Sequence, residues 1–244
     1  MTKPAARLSI GTSGYQYDHW RSVLYPVDLA KKEWLAYYAD RFDAVEINST
    51  FYSLPSVDTV RRWAEAVPET FRFVLKFSRY GSHIKRLKDP AQTIDRFRPL
   101  VDALGRRKGP VLLQLPPRWR ANPDRLDAFL AAGRGIRWAV EFRDPDWLRD
   151  EIVDVLADHG AALCIHDALP DHPRPLTADW TYLRLHGPAS GEGYDDATLE
   201  DWGRWLAEDV LDPGDDAWVF FNNDAGGHAV SDARRLAALL GETR

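Results

Sequence analysis

AVEINSTFY, residues 44–52, reads as a strand that runs into polar chemistry. Side chains alternate across a strand, so Val45 and Ile47 share one face while Glu46 and Asn48 share the other. The first face must be covered by apolar neighbours; the second must find partners or line a pocket. Seven further segments have the same form: LSIGTSGY from Leu8, FRFVLKFSRYG from Phe71, GPVLLQLPP from Gly109 and WAVEFRDPDW from Trp138. GAALCIHD from Gly160, TYLRLHGP from Thr181 and AWVFFNND from Ala217 complete the set.

The segments between these runs carry helical spacing. Leu35, Tyr38, Ala39 and Phe42 mark the first helix. Ser56 caps a second with the stripe Val57, Val60, Ala64 and Val67, stopped by Pro68. Ile94, Phe97, Val101 and Leu104 mark a third, in which Pro99 predicts a kink. Asn122-Pro123 opens the fourth. Leu148, Ile152, Val155 and Leu156 give the fifth, closed by Gly160. Leu199, Trp202 and Leu206 give the seventh; Ala233, Leu236, Ala237 and Leu240 give the eighth, ended by Gly241. The sixth crossover, Ala168 to Trp180, holds three prolines and predicts a short or degenerate helix.

Alternating strands and helices imply a parallel sheet with right-handed crossovers. Eight such units in 244 residues match the size of one α/β domain, a single (β/α)8 TIM-type barrel over residues 1–244. No linker-like stretch divides the chain, and no GxGxxG or Walker sequence supports a dinucleotide or P-loop fold.

Composition narrows the function classes. Net charge is −5 and the pI about 5.8, with Lys and Arg scattered, which weighs against a nucleic-acid binder without excluding one. The lone Cys164 rules out an intramolecular disulfide and fits a reducing compartment. MTKPAARLSIG lacks the apolar core of a signal peptide, and no apolar run approaches the ~18 residues of a membrane span. The expectation is a cytoplasmic protein with no membrane contact.

In a barrel the outer strand faces meet helices and must be apolar. That requirement turns Glu46, Asn48, Lys76, Gln114, Glu141, Arg143, Arg184, His186 and Asn222 inward, toward the strand ends where barrel enzymes do their chemistry. Glu46 and Glu141 are candidate acid/base groups, each set among cations. Lys76, Arg143 and Arg184 suit a phosphate or carboxylate, the arginines through bidentate forks. His186 suits a proton shuttle, a metal ligand or a hydrogen-bonded wall. The same nine residues could instead neutralise one another and plug the barrel.

No cofactor is expected. A divalent metal remains an alternative, with Glu46, Glu141, Asp167 and His186, and His166 beside them, as ligand types; no HxH or HxxE spacing fixes a site, and three nearby cations oppose it. Cys164 and His166 share a strand face, so a thiol–base pair is conceivable, although a mid-strand cysteine commonly serves as a small apolar residue. The loops after the strands carry Tyr15, Tyr17, Trp20, Phe51, Tyr52, Tyr80, Trp119, Trp147 and Tyr194. Of these Tyr15, Trp20, Tyr52 and Trp147 are taken as substrate-binding, by stacking on a ligand, against the alternative of packing the loops. Trp34, Trp63, Trp202 and Trp205 lie on helices and read as core. Asn222 to His228, with Gly226-Gly227 before a helix start, reads as a phosphate cradle that includes Asn222 and Asn223.

Ordered motifs over nearly the whole chain carry a family resemblance. They are Gly11-Thr12-Ser13-Gly14-Tyr15 with Tyr17 and Trp20, Tyr25-Pro26, Glu46-Ile47-Asn48-Ser49-Thr50-Phe51-Tyr52, and Lys76 with His83. Gln114-Leu115-Pro116-Pro117, Glu141-Phe142-Arg143 with Trp147, Arg184-Leu185-His186-Gly187 and Phe221-Asn222-Asn223 follow. Together they resemble the YecE-like family, the domain of unknown function numbered 72. Ser82 before His83 and Asp144-Pro145-Asp146 before Trp147 depart from its pattern. The resemblance implies a TIM-type barrel and supplies no reaction. Function therefore rests on the residues. The leading expectation is an enzyme for a small phosphorylated or carboxylated, sugar-like substrate, with Glu-based acid/base chemistry and a Lys/Arg clamp. The reaction could be an isomerisation, a lyase step or a hydrolysis. The alternatives are a metal-dependent phosphodiesterase or endonuclease and a non-catalytic ligand-binding barrel. Oligomeric state is not legible.

Overall fold

The runs rich in β-branched and aromatic residues form eight parallel strands: β1 (Leu8–Ser13), β2 (Ala44–Ile47), β3 (Arg72–Lys76), β4 (Lys108–Gln114), β5 (Trp138–Glu141), β6 (Ala162–His166), β7 (Trp180–Leu185) and β8 (Asp216–Phe221). They pair in chain order, and β8 returns to β1, closing the barrel. The structure is a computed structural model describing residues 6–211 and 214–241. The ends of the expected 1–244 domain, and the first five residues of the stretch read as lacking a leader, lie outside the described residues. Among the described residues no helix is long and apolar enough to cross a membrane.

The helices are α1 (Trp34–Ala39), the short α2 (Ser49–Tyr52), α3 (Val57–Glu65), α4 (Pro90–Ala103), α5 (Pro123–Ala132), α6 (Asp150–Asp158), α7 (Asp196–Trp205) and α8 (His228–Leu239). Their starts follow local chemistry. Ser56 Oγ accepts the Thr59 N–H at 3.1 Å, and Asn122 Oδ1 accepts that of Arg125 at 2.9 Å, each satisfying an otherwise orphaned first-turn donor. Helix α4 continues over Pro99. Leu148 falls before α6, in a 3-10 turn over Pro145–Trp147 and its cap.

No helix forms in the sixth crossover, residues 167–179. Thr177 substitutes for part of one, its hydroxyl accepting the Leu163 N–H at 2.8 Å and donating to Ala161 O at 2.7 Å.

Two apolar clusters separate cleanly. One lies between barrel and helices and takes the outward residues, Val45, Ile47, Phe73, Leu75, Leu183 and Val219 among them. The other fills the lumen: Ala44, Val74, Leu112, Ala139, Ala162 and Cys164 face Trp180, Tyr182, Trp218 and Phe220. Large aromatic rings from β7 and β8 occupy the space that small side chains on β2, β5 and β6 leave, as close packing requires. At the β1–β2 seam Tyr38 reaches in from α1, accepting the Thr12 N–H at 2.9 Å and donating to Ala44 O at 3.1 Å. A Cβ on Gly11 would stand 1.9 Å from Ala44 O, so this seam demands glycine. The apolar filling occupies the lower lumen and leaves its C-terminal end to polar side chains.

Candidate active site

The inward polar set divides into two tiers. The lower tier is fully buried. Arg184, from β7, gives Nη2 to Glu46 Oε1 at 2.8 Å and Nη1 to Glu141 Oε2 at 2.5 Å. Ser13 Oγ donates to Glu46 Oε1 at 2.7 Å, and Tyr182 OH to Glu46 Oε2 at 2.6 Å. Glu46 and Glu141 have no exposed surface and Arg184 only 2%. Burial by itself would raise both carboxyls. Arg184 and Tyr182 outweigh it at Glu46, and Arg184 with Arg143 does so at Glu141, so both lie below the usual carboxylate range, Glu141 far below. Arg184 is held charged, its two carboxylates outweighing burial.

The upper tier is half-buried and forms the mouth: Asn48, Lys76, Gln114, Arg143, His186 and Asn222, contributed by the ends of β2, β3, β4, β5, β7 and β8. Arg143 Nε lies against Glu141 Oε1, and its Nη2 donates to His186 Nε2 at 2.7 Å. An arginine cannot accept a proton bond, so that nitrogen of His186 is an acceptor and the ring proton sits on Nδ1, toward Asp167 Oδ1 at 3.3 Å. Asp167 also accepts the His186 backbone N–H at 2.7 Å and the Tyr194 hydroxyl. Burial pulls its carboxyl up, but the bonds from His186 and Tyr194 outweigh that and hold it below the ordinary value.

Lys76 stands apart. Its Nζ donates to the neutral Gln114 Oε1 at 2.8 Å and lies 4.7 Å from the Phe51 ring centroid. Among the described residues no carboxylate comes within ion-pair distance of it. Burial, and then the Arg184 charge, push the ammonium down to about 8. His83, whose ring centroid lies 4.9 Å from that of Phe51, is lowered to about 4 by burial and then by Lys76.

Other expected residues lie elsewhere or serve packing. Trp20 is fully buried and donates Nε1 to Asp224 Oδ1 at 2.5 Å; Trp147 stacks on Phe142 and donates to Trp119 O at 2.5 Å. Tyr15 is buried near Tyr38, while Tyr52 is 79% exposed at the end of α2. Asn223 is buried, its amide donating to Asp232 at 2.8 Å, with Oδ1 left unpartnered. Asn48 Oδ1 is likewise buried and unpartnered, at the mouth. In the Asn222–His228 loop Gly226 and Gly227 adopt φ of 67° and 82°. The loop's own Asp224 takes bonds from Trp20 and His19, tying it to the β1 loop.

Metal-ligand types are committed elsewhere. Glu46 and Glu141 hold arginines; His166 Nε2 bonds Phe142 O at 2.8 Å and its Nδ1 accepts the Ala168 N–H at 3.2 Å. Among the described residues no group of three or more His, Cys, Asp or Glu side chains is arranged to hold a metal ion. Cys164 is buried in the lumen, and burial, then Glu141, raise its thiol well above the ordinary value, opposite to what a nucleophile needs. Tyr182, Ser13 and Asp232 were not among the sequence candidates for this network, and Tyr194 was named only as a loop aromatic. Tyr182 and Ser13 alternate with Glu46-type inward positions, a signal the strand rule carries; Asp232 acts from a helix and leaves none.

The molecule is thus a closed parallel barrel with an ionised cluster at the face where barrel enzymes carry their sites. The chain belongs to the DUF72 family: the family profile described as "Protein of unknown function DUF72" matches residues 9–244. It is 26% identical over 269 residues to UPF0759 protein YunF of Bacillus subtilis (strain 168), covering 95% of this chain and 94% of that protein. UPF0759 protein YecE of Escherichia coli (strain K12) is 35% identical over 114 residues, 45% of this chain and 41% of YecE. A crystal structure of a DUF72 family protein from Thermotoga maritima MSB8 superposes with a TM-score of 0.85 at 26% identity, covering 97% of this chain and all of that one.

Proposed function

We propose that this protein is an enzyme acting on a small anionic compound, phosphorylated or carboxylated and of sugar-like size, at the C-terminal mouth of its barrel. One observation carries the reading. Among the five charged groups Glu46, Glu141, Arg143, Arg184 and Lys76, the two guanidiniums match the two carboxylates, and Lys76 is the unmatched cation. A half-buried ammonium bonded, among the described residues, only to an amide oxygen has donors to spare for an anion. Arg143, at the rim, supplies the second arm of the clamp.

Proton transfer falls to groups poised near neutrality rather than to strongly stabilised carboxylates. Lys76, at about 8, meets that condition. Glu46 and Glu141, locked ionised by Arg184, orient the cations and favour positive charge developing above them. His186 offers Nε2 once an arriving anion draws Arg143 away, and Asp167 holds its ring in the required tautomer.

Inorganic phosphate and malonate test the clamp by thermal shift. At ~100 times its Kd a ligand adds about 2.7 kcal/mol, which at roughly 2–4 °C per kcal/mol for a chain of this size is readily measured. Wild type and a Lys88→Gln surface control should shift, and Lys76→Gln should not. No shift with either probe, or an undiminished shift in Lys76→Gln, overturns the reading.

A further inference from the structure

Lys76 combines features that a binding cation does not need. It ends a barrel strand at the mouth, the residue is only partly buried, and among the described residues its sole polar partner is the uncharged Gln114 amide. The aromatic face of Phe51 shields it, while the carboxylates that would fix an ammonium are turned to Arg184 and Arg143. A lysine required only to hold an anion keeps its charge best beside a carboxylate; here every nearby carboxylate is withheld. Desolvation beside another cation is the arrangement that frees an amine lone pair, and its effect is visible in the depressed proton affinity of Lys76.

From this arrangement we infer that Lys76 is a covalent nucleophile that forms an imine with the carbonyl group of the anionic substrate. The inference rests on the proposed anion-binding reading and narrows it to aldehydes and ketones bearing a carboxylate or phosphate. The neutral Nζ attacks the carbonyl carbon, forming the N–C bond as the C=O π pair moves to oxygen. A proton passes from nitrogen to that oxygen, giving a carbinolamine. A proton taken from solvent by its hydroxyl lets water leave with the C–O pair, and the nitrogen lone pair closes the C=N bond. The product is a cationic iminium plus one water, with no redox change. Glu46 and Glu141, ionised beneath the mouth, favour that positive charge. The clamp partner for the substrate anion is then Arg143, which releases His186 Nε2 beside the new iminium.

The test uses glyoxylate, a carboxylate-bearing aldehyde, with cyanoborohydride as the hydride donor that converts an imine to a stable secondary amine. Sites are read by peptide mass spectrometry near pH 7. Lys76 should be alkylated at least about tenfold faster than the exposed Lys32, Lys88 and Lys108, since each unit of lowered pKa raises the free-amine fraction about tenfold at that pH. Lys76→Arg, which keeps the charge and loses the primary amine, should lose the labelled peptide while retaining anion-induced stabilisation. A second arm separates the two ideas: glyoxylate without reductant is tested for protection of Lys76 against a neutral acylating reagent. Protection without a trapped adduct overturns the imine and leaves the anion site standing. Labelling of Lys76 no faster than the surface lysines, with no protection, overturns both.

Discussion

Arg184 Nη2 meets Glu46 Oε1 at 2.8 Å across the lumen, joining β7 to β2, strands that are not neighbours in the sheet. The other arm of the same guanidinium reaches Glu141 on β5, so one side chain spans three strands spaced around the barrel. Its methylene stem and head are both buried, and its charge is the chief compensation for two carboxylates.

Replacing Arg184 by Met should therefore cost about 3–5 kcal/mol, because it leaves buried carboxylates without their main partner. Urea denaturation followed by circular dichroism measures this directly. Adding Glu46→Gln and Glu141→Gln should recover most of the loss, since the charges then disappear together. A single-variant cost below about 1 kcal/mol, the level of an exposed ion pair, would show that the lower tier does not hold the barrel.

Acid should lower the protein's stability over two pH windows. His166 is fully buried and lowered from 6.5 to about 4, chiefly by burial. Below about pH 6.5 the unfolded chain takes up a proton there that the folded protein refuses until about pH 4, so stability is lost as pH falls through that window. The buried His166 contributes up to about 3 kcal/mol to this loss, and half-buried His83 adds in the same direction. Glu46 and Glu141 have lowered folded values, so their contribution is present above the unfolded carboxyl value of 4.5 and fades below it. Urea midpoints measured from about pH 8 down to pH 3 should fall in both windows. His166→Gln, which retains a donor for Phe142 O, should flatten the upper one; an unchanged profile would refute the assignment.

Gly11→Ala tests the β1–β2 seam. The added Cβ meets Ala44 O, a backbone atom that cannot turn aside, and also crowds the Tyr38 hydroxyl at 3.1 Å. A loss of about 3 kcal/mol is expected from the forced backbone shift. Tyr38→Phe, which removes the bridging hydroxyl but opens no clash, should cost about 1–2 kcal/mol. Equal losses from the two variants would mean that the hydroxyl, not the close approach, sets the requirement for glycine.

The alternation of AVEINSTFY was enough to orient β2, because a helix-covered outer face tolerates Val45 and Ile47 but not Glu46. The same rule separated inward from outward residues on β3, β5, β7 and β8. The missing helix of the sixth crossover was legible from its prolines. What alternation could not reveal was depth. Glu46 and Asn48 share a face, yet one is sealed beneath Arg184 and the other reaches the mouth, because depth depends on the neighbouring strands' stagger. Nor does a loop position tell which way a ring turns. Trp20 and Trp147 lie after strand ends, as a ligand-stacking residue would, but Asp224 and the Trp119 carbonyl receive their indole protons and fold them inward. Asp167 stood among the possible metal ligands; its bonds to His186 and Tyr194 arise from loops that meet in space alone.

The unmatched ammonium of Lys76 sits in a chain whose formal net charge is −5. Attraction at the mouth and repulsion from the rest of the surface act over different ranges. Beyond a Debye length of about 8–10 Å near physiological salt, an approaching anion feels little of either; at low salt it feels chiefly the acidic exterior. On the proposed anion-binding reading, capture at this mouth is consequently a contact event rather than a long-range one. Moderate salt should quicken an anion's arrival, the reverse of the salt dependence seen where a whole basic surface funnels ligands inward.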